Sequence, residues 1–314
     1  MGRIRQLIER AAVVGVAAGL GIGMVLGTAT AANARTKQPR TVAPQVTRPA
    51  PLTKPLVVLY GDSLAFEAAD SFVAAFAVEP DVQVITRTYG GTAICDWLGS
   101  MRDDAEALAP GAVVLEFSGN ALTACMQGLD GNRLSGDAYW DRYHTDAETA
   151  IDIFVPTHTR VFFAGSPISR LQEASGDFNG GKVNAMYAQI AGERAGDGVG
   201  YVDAGAAVLD NGRWTPSLPC LPSEPCTGGV DGLGRAVNIV RAPGDGGHFC
   251  PVGEEAKRGV TGACPVWSSG AYRYATAMAQ PVLDALAASS TSPPAPITTL
   301  PRVRLPRGGS GRDR

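Results

Sequence analysis

Strand-like and helix-like segments alternate along this chain. That pattern predicts an α/β fold, a three-layer α/β/α sandwich around a five-stranded parallel, flavodoxin-like sheet. Three observations carry the expectation. Leu56-Val57-Val58-Leu59-Tyr60 is an unbroken apolar run, as expected of a strand buried on both faces. Gly61 breaks the run, and Leu64 to Phe76 then reads as a helix with Leu64, Ala68 or Ala69, Phe72 and Phe76 along one side. The same alternation recurs further along the chain.

The second strand is Val82 to Tyr89, β-branched and closed by Gly90-Gly91, with a helix expected over Trp97 to Leu108. The third is Ala112 to Phe117, ending at Ser118-Gly119-Asn120, followed by a long helix over Asp137 to Ile153. The fourth is Arg160 to Ala164, ending at Gly165-Ser166-Pro167, with the next helix over Lys182 to Arg194. Gly200 to Asp203 makes a short fifth strand. Asn211 to Gly247 is rich in Gly and Pro and reads as a surface excursion. Ala271 to Ala288 closes the domain as a helix, with Tyr274, Met278, Val282 and Leu286 as its core stripe.

The ends have a different composition. Residues 1–34 begin with Arg3, Arg5 and Arg10, run uncharged from Ala11 to Leu26, and reach a small-x-small site at Ala32-Asn33-Ala34. This favours a cleaved export signal, with an uncleaved membrane anchor as the alternative. Residues 35–54 form a Pro-rich linker, 55–288 the folded domain, and 289–314 a basic tail read as disordered. The body, 55–288, carries 14 Lys/Arg against 28 Asp/Glu, a net of −14. An acidic body without a basic stripe argues against nucleic acid as a partner. The six cysteines, an even number, point to disulfides in an exported, extracytoplasmic protein. Local loop closure suggests Cys220–Cys226 and Cys250–Cys264, which leaves Cys95–Cys125. With no C-x-x-C spacing and only three His, no metal site is expected.

Ser63 falls at the strand-to-helix turn after the first strand, on the sheet edge where open α/β folds bind ligands. The bland reading is that Asp62 or Ser63 only caps the helix. Three further loops lie on the same edge. Gly90-Gly91 offers a backbone N–H that can approach a substrate closely. Gly119-Asn120 offers an amide donor. Asp245-Gly246-Gly247-His248 offers a carboxylate and an imidazole in one Gly-rich loop. His144 falls within the long helix, and His158 sits in a loop before the fourth strand. Trp97, Trp140, Trp214 and Trp267 are expected mainly to pack, though each could line a sugar site.

Together these segments resemble the SGNH/GDSL hydrolase superfamily across 55–288. Gly61-Asp62-Ser63-Leu64 matches its nucleophile block, Gly91 and Asn120 match its second and third blocks, and Asp245 with His248 matches its final D-x-x-H block. Two departures stand out: Ala121 follows the asparagine where an acid is common, and the adjacent Gly90 shares the claim on the glycine position. The resemblance implies a serine esterase that needs no cofactor. Ser63 is its nucleophile, His248 its base and Asp245 the acid that orients it, with Ser63, Gly91 and Asn120 forming the oxyanion hole. It implies a small-molecule, glycan or lipid ester as substrate. An O-acyltransferase or deacetylase on envelope polysaccharide, or a non-catalytic binding module, are the alternatives. An unperturbed imidazole titrates near ~6.5, so an activity resting on neutral His248 should be greatest at neutral to mildly alkaline pH.

Overall fold

The computed structural model describes residues 55–175, 179–244, 246–250, 264 and 267–291. The export signal, linker and basic tail expected from the sequence lie outside the described residues. β1 (Leu56–Gly61), β2 (Gln83–Thr88), β3 (Ala112–Glu116), β4 (Arg160–Ala164) and β5 (Val199–Val202) form one sheet in the order β2-β1-β3-β4-β5. Every neighbouring pair is parallel. This is the five-stranded parallel architecture read from the sequence.

Alternation along β1 builds the three layers. Val58 and Tyr60 pack on one face with α2 (Ile94–Ala107), α3 (Gly136–Phe154) and α5 (Asn179–Glu193). Val57 and Leu59 pack on the other with α1 (Ser63–Ala75) and the closing helix α6 (Ser269–Thr291). A strand covered on both sides has no polar face to show, which is why its sequence is a continuous apolar run. α6 follows the expected stripe, with Tyr274, Met278 and Val282 buried. Among the described residues, no helix is long and apolar enough to cross a membrane.

Two features depart from the expectation. A six-residue helix, α4 (Arg170–Ser175), sits between β4 and α5. The excursion over 211–247 is not all surface. β6 (Leu209–Asp210) pairs with β7 (Arg213–Trp214), and β8 (Ser217–Pro219) pairs with β9 (Val237–Ile239), both antiparallel. Leu218, Val237, Val240 and Arg241 are buried. Strands of two or three residues are too short to show a period, so the Gly/Pro content alone set the expectation.

All three disulfides form in the suggested pairing, Cys95–Cys125, Cys220–Cys226 and Cys250–Cys264. Cys95–Cys125 joins the start of α2 to the single turn Ala124–Met126 that follows β3. Asp96 reinforces the same junction, its Oδ2 accepting from the Ala93 N–H and the Thr123 hydroxyl, each at 2.8 Å.

Candidate active site

α1 springs directly from the end of β1. A Cβ on Gly61 would lie 2.6 Å from the Glu116 carbonyl oxygen and would also overlap the Ala65 methyl, so only glycine fits between strand and helix. Asp62 is the N-cap, its Oδ1 accepting the Leu64 N–H at 3.0 Å. Ser63 is the first helical residue. The cap and the motif serine thus occupy adjacent positions.

The first-turn donors of α1 are spoken for, with one exception. Leu64 N–H goes to Asp62, Ala65 N–H to Glu116 Oε2 at 3.0 Å, and Phe66 N–H to the Asp62 carbonyl. Among the described residues the Ser63 N–H has no acceptor. It stands at the positive end of the helix, where a negative oxygen is favoured.

In a 2-1-3-4-5 sheet the chain changes direction between β1 and β3, and a crevice opens there. Ser63 stands on one side of it and the Ser118-Gly119-Asn120 loop on the other. Three tyrosines hold that loop by its carbonyls. Tyr187 donates to Phe117 O, Tyr139 to Gly119 O and Tyr143 to Asn120 O, at 3.2, 2.7 and 2.8 Å. Asn120 Nδ2 donates to Asp62 Oδ2 at 2.7 Å. That oxygen also accepts the Ser118 N–H and hydroxyl, at 2.8 and 2.6 Å.

His248 arrives from the other end of the chain. Its Nε2 lies 2.9 Å from Ser63 Oγ, across 185 residues of sequence. The loop that carries it is fixed on both sides. Glu67, one helical turn beyond Ser63, is buried, and its Oε2 accepts the N–H groups of Phe249 at 2.6 Å and Cys250 at 3.3 Å. Before the histidine, the Gly246 carbonyl accepts the Trp214 indole N–H at 2.8 Å and the Arg170 N–H at 3.2 Å. α1 therefore presents Ser63 and holds the backbone that carries His248.

Ser63, Asn120 and His248 line one cleft of about 170 Å³. Ser118, Ser166, Ser169 and Gln172 make it polar, and Leu64 and Pro167 are its apolar walls. Gly91 lies on the same sheet edge, in the turn after β2 at φ +79°, and is not among the cleft-lining residues. Asp245 falls outside the described residues. His144 is exposed on α3, and His158 follows α3 in a left-handed turn. Trp97 packs edge-on to Tyr60 and donates to Thr92, a packing role.

Sequence reasoning passed over Glu67 and Glu116, and expected of Trp214 packing or a sugar contact rather than its hold on the Gly246 carbonyl. The first two had a visible signal, an acid set within a buried apolar run. Glu116 is fully buried beneath the site. Burial and the adjacent Asp62 carboxylate push its carboxyl well above the ordinary range, against the opposing hydrogen bonds from Ser166 and Tyr274.

The fold and site define an α/β protein with a serine-histidine pair at the switch point of a parallel sheet. The sheet order, and the meeting of Ser63, Asn120 and His248 along one edge, agree with the resemblance to SGNH hydrolases. The chain belongs to the family described as protein of unknown function DUF459, whose model matches residues 56–224. No curated protein matches the sequence. Similar solved structures include a Bacteroides fragilis NCTC 9343 protein assigned as an acylhydrolase, at 16% identity and TM-score 0.44, covering 75% of this chain and 91% of that one. A GDSL-like lipase from Bacteroides thetaiotaomicron VPI-5482 matches at 14% identity and TM-score 0.44, covering 74% and 88%. A catalytic mutant of an acetylxylan esterase from Geobacillus stearothermophilus matches at 15% identity and TM-score 0.39, covering 49% and 77%.

Proposed function

We propose that this protein is a serine esterase acting on short-chain acyl esters of polar alcohols outside the cytoplasm. The observation that carries the proposal is the 2.9 Å approach of His248 Nε2 to Ser63 Oγ at the switch-point crevice. A serine hydroxyl is a weak nucleophile until a base takes its proton, and a neutral imidazole at hydrogen-bond distance is that base.

Ser63 Oγ attacks the ester carbonyl while its proton passes to His248 Nε2. The carbonyl oxygen, now negative, takes the Ser63 N–H and the second N–H of the Asn120 amide, with the Gly91 N–H as the third donor in this reading. The C–O bond to the alcohol then breaks, and His248 returns the proton to the leaving oxygen. Water attacks the acyl-serine by the same route and releases the acid. Asp245, three residues before His248, is the acid assigned to orient the imidazole. Three disulfides support an oxidising compartment.

Cleft size sets the acyl preference. About 170 Å³ is well below the ~300–1,000 Å³ of ordinary small-molecule sites, and six of the ten lining residues carry a hydroxyl or an amide. A reacting carbonyl with a short acyl group fits, and a long chain does not. On p-nitrophenyl esters, kcat/KM for acetate should exceed that for octanoate by about a hundredfold. A preference for octanoate would overturn the short-chain assignment. Assays run with and without a sugar acceptor separate hydrolysis from acyl transfer.

Glu67 gives a second expectation. Glu67→Ala leaves the Phe249 and Cys250 N–H groups without this acceptor, and each buried unpaired donor costs about 1–3 kcal/mol. The loop then releases His248 from Ser63. We expect kcat/KM to fall about 10²-fold in Glu67→Ala. The fall should be about tenfold in Glu67→Gln, which keeps one acceptor oxygen. Equal, small effects in both folded variants would show that Glu67 does not set the His248 position.

A further inference from the structure

Asp62 and Glu116 are both fully buried, and among the described residues neither forms an ion pair. Their carboxyl oxygens accept from consecutive N–H groups of α1, Leu64 to Asp62 and Ala65 to Glu116, each at 3.0 Å, so two buried acids meet at one helix turn. We propose that Glu116 is a positioning residue for the esterase site, forming with Asp62 a carboxyl pair that shares one proton and holds the Ser63 turn and the Asn120 amide. The proposal rests on the functional reading above for its catalytic consequence, but not for the shared proton.

The pair ties four elements together beneath the nucleophile. Glu116 Oε2 takes the Ala65 N–H of α1 at 3.0 Å. Its Oε1 takes the Ser166 hydroxyl after β4 and the Tyr274 hydroxyl of α6, each at 2.9 Å. Asp62 takes Leu64, Ser118 and Asn120. With one proton the pair carries a single negative charge, which four hydrogen bonds to Asp62 satisfy. Two charges on one buried helix turn would repel strongly, since the interior screens charge poorly. The second charge would also oppose the oxyanion developing above it. The other titratable groups facing the pair are Tyr143 on α3, Tyr187 on α5 and Tyr274 on α6. Burial raises all three phenols, so none supplies a charge. His248 approaches Ser63 from the cleft side.

A carboxyl raised in the folded chain keeps its proton where the unfolded chain, with an ordinary Glu near ~4.3, has lost it. Stability is then full below that value, declines as pH rises, and levels once the folded carboxyl ionises. The test is urea unfolding of wild type and Glu116→Gln from about pH 5 to about pH 9, with kcat/KM measured on a neutral acetate ester over the same range. The expected result is that the Gln variant gains stability relative to wild type as pH rises. Parallel stability curves would overturn the shared proton. In the activity arm, wild type should fall on the alkaline side and Glu116→Gln should stay level. An alkaline fall that persists in the variant, or is missing from wild type, would overturn the positioning role. If wild type hydrolyses no ester, the esterase reading fails and the unfolding curves still decide the shared proton. If Glu116→Gln does not fold, infrared spectroscopy of wild type at neutral pH decides it. A protonated-carboxyl C=O band supports the proposal, and its absence overturns it.

Discussion

Replacing Ser63 by Ala should lower kcat/KM by about 10⁴- to 10⁶-fold while leaving the fold in place. The two halves of this expectation have separate causes. Ser63 Oγ is the only atom lost, and its partner, His248 Nε2, faces the same cleft, so no buried donor or acceptor is stranded. The helix cap belongs to Asp62, and the Gly61 turn is untouched. Thermal unfolding should therefore shift by only a few degrees, as for a change of about 1 kcal/mol or less. Activity depends on the nucleophile directly. What survives in Ser63→Ala is whatever the oxyanion donors and substrate binding give to attack by water. A phosphonate probe should label wild type at Ser63, read as one adduct by intact mass and located by peptide mapping, and should not label the variant. Activity near wild type in folded Ser63→Ala would end the serine-esterase reading.

Much of this was legible in the sequence because the same physics wrote it. β1 lies inside the sheet between two helical layers, and burial on both faces leaves a continuous apolar run. α1 shows its stripe because Leu64, Ala68, Phe72 and Phe76 all meet the core. Ser63 and Asn120 were legible from their places just beyond strand ends, since a parallel sheet gathers every such turn on one edge. The disulfide pairing followed from short loops and elimination.

Other features carried a signal whose meaning is tertiary. Glu67 and Glu116 break apolar runs, and an acid in that position reads at first as noise in a periodicity. Only the tertiary structure shows Glu67 accepting backbone N–H groups from a segment 182 residues away. Trp214 looks like any tryptophan in a Gly/Pro-rich excursion until its indole is found on the Gly246 carbonyl. Gly90-Gly91 is the converse case. The motif marked a glycine near an oxyanion, while the cleft as it stands is lined by Ser63, Ser118 and Asn120. A backbone donor is specified by the path of a turn, which residue type alone does not fix.

His248→Ala should be nearly as damaging as Ser63→Ala, by about 10⁴-fold or more, because serine and base act as one unit and removing either disables both. The structure bears on how the effect should divide. His248 is partly exposed at the cleft, while Phe249 and Cys250 beyond it are buried and held by Glu67 and the Cys250–Cys264 disulfide. The loop should keep its course in the variant, so the cleft and its hold on substrate should persist. The loss is thus expected in kcat, with KM changed by no more than a few-fold. Phosphonate labelling of Ser63 should slow by a comparable factor, since the same proton transfer activates the same oxygen. The double variant, Ser63→Ala with His248→Ala, should be no worse than Ser63→Ala alone. Additive losses in the double variant would mean that His248 contributes by a route other than Ser63. A rise in KM with kcat preserved would make His248 a binding residue and leave Ser63 without its base.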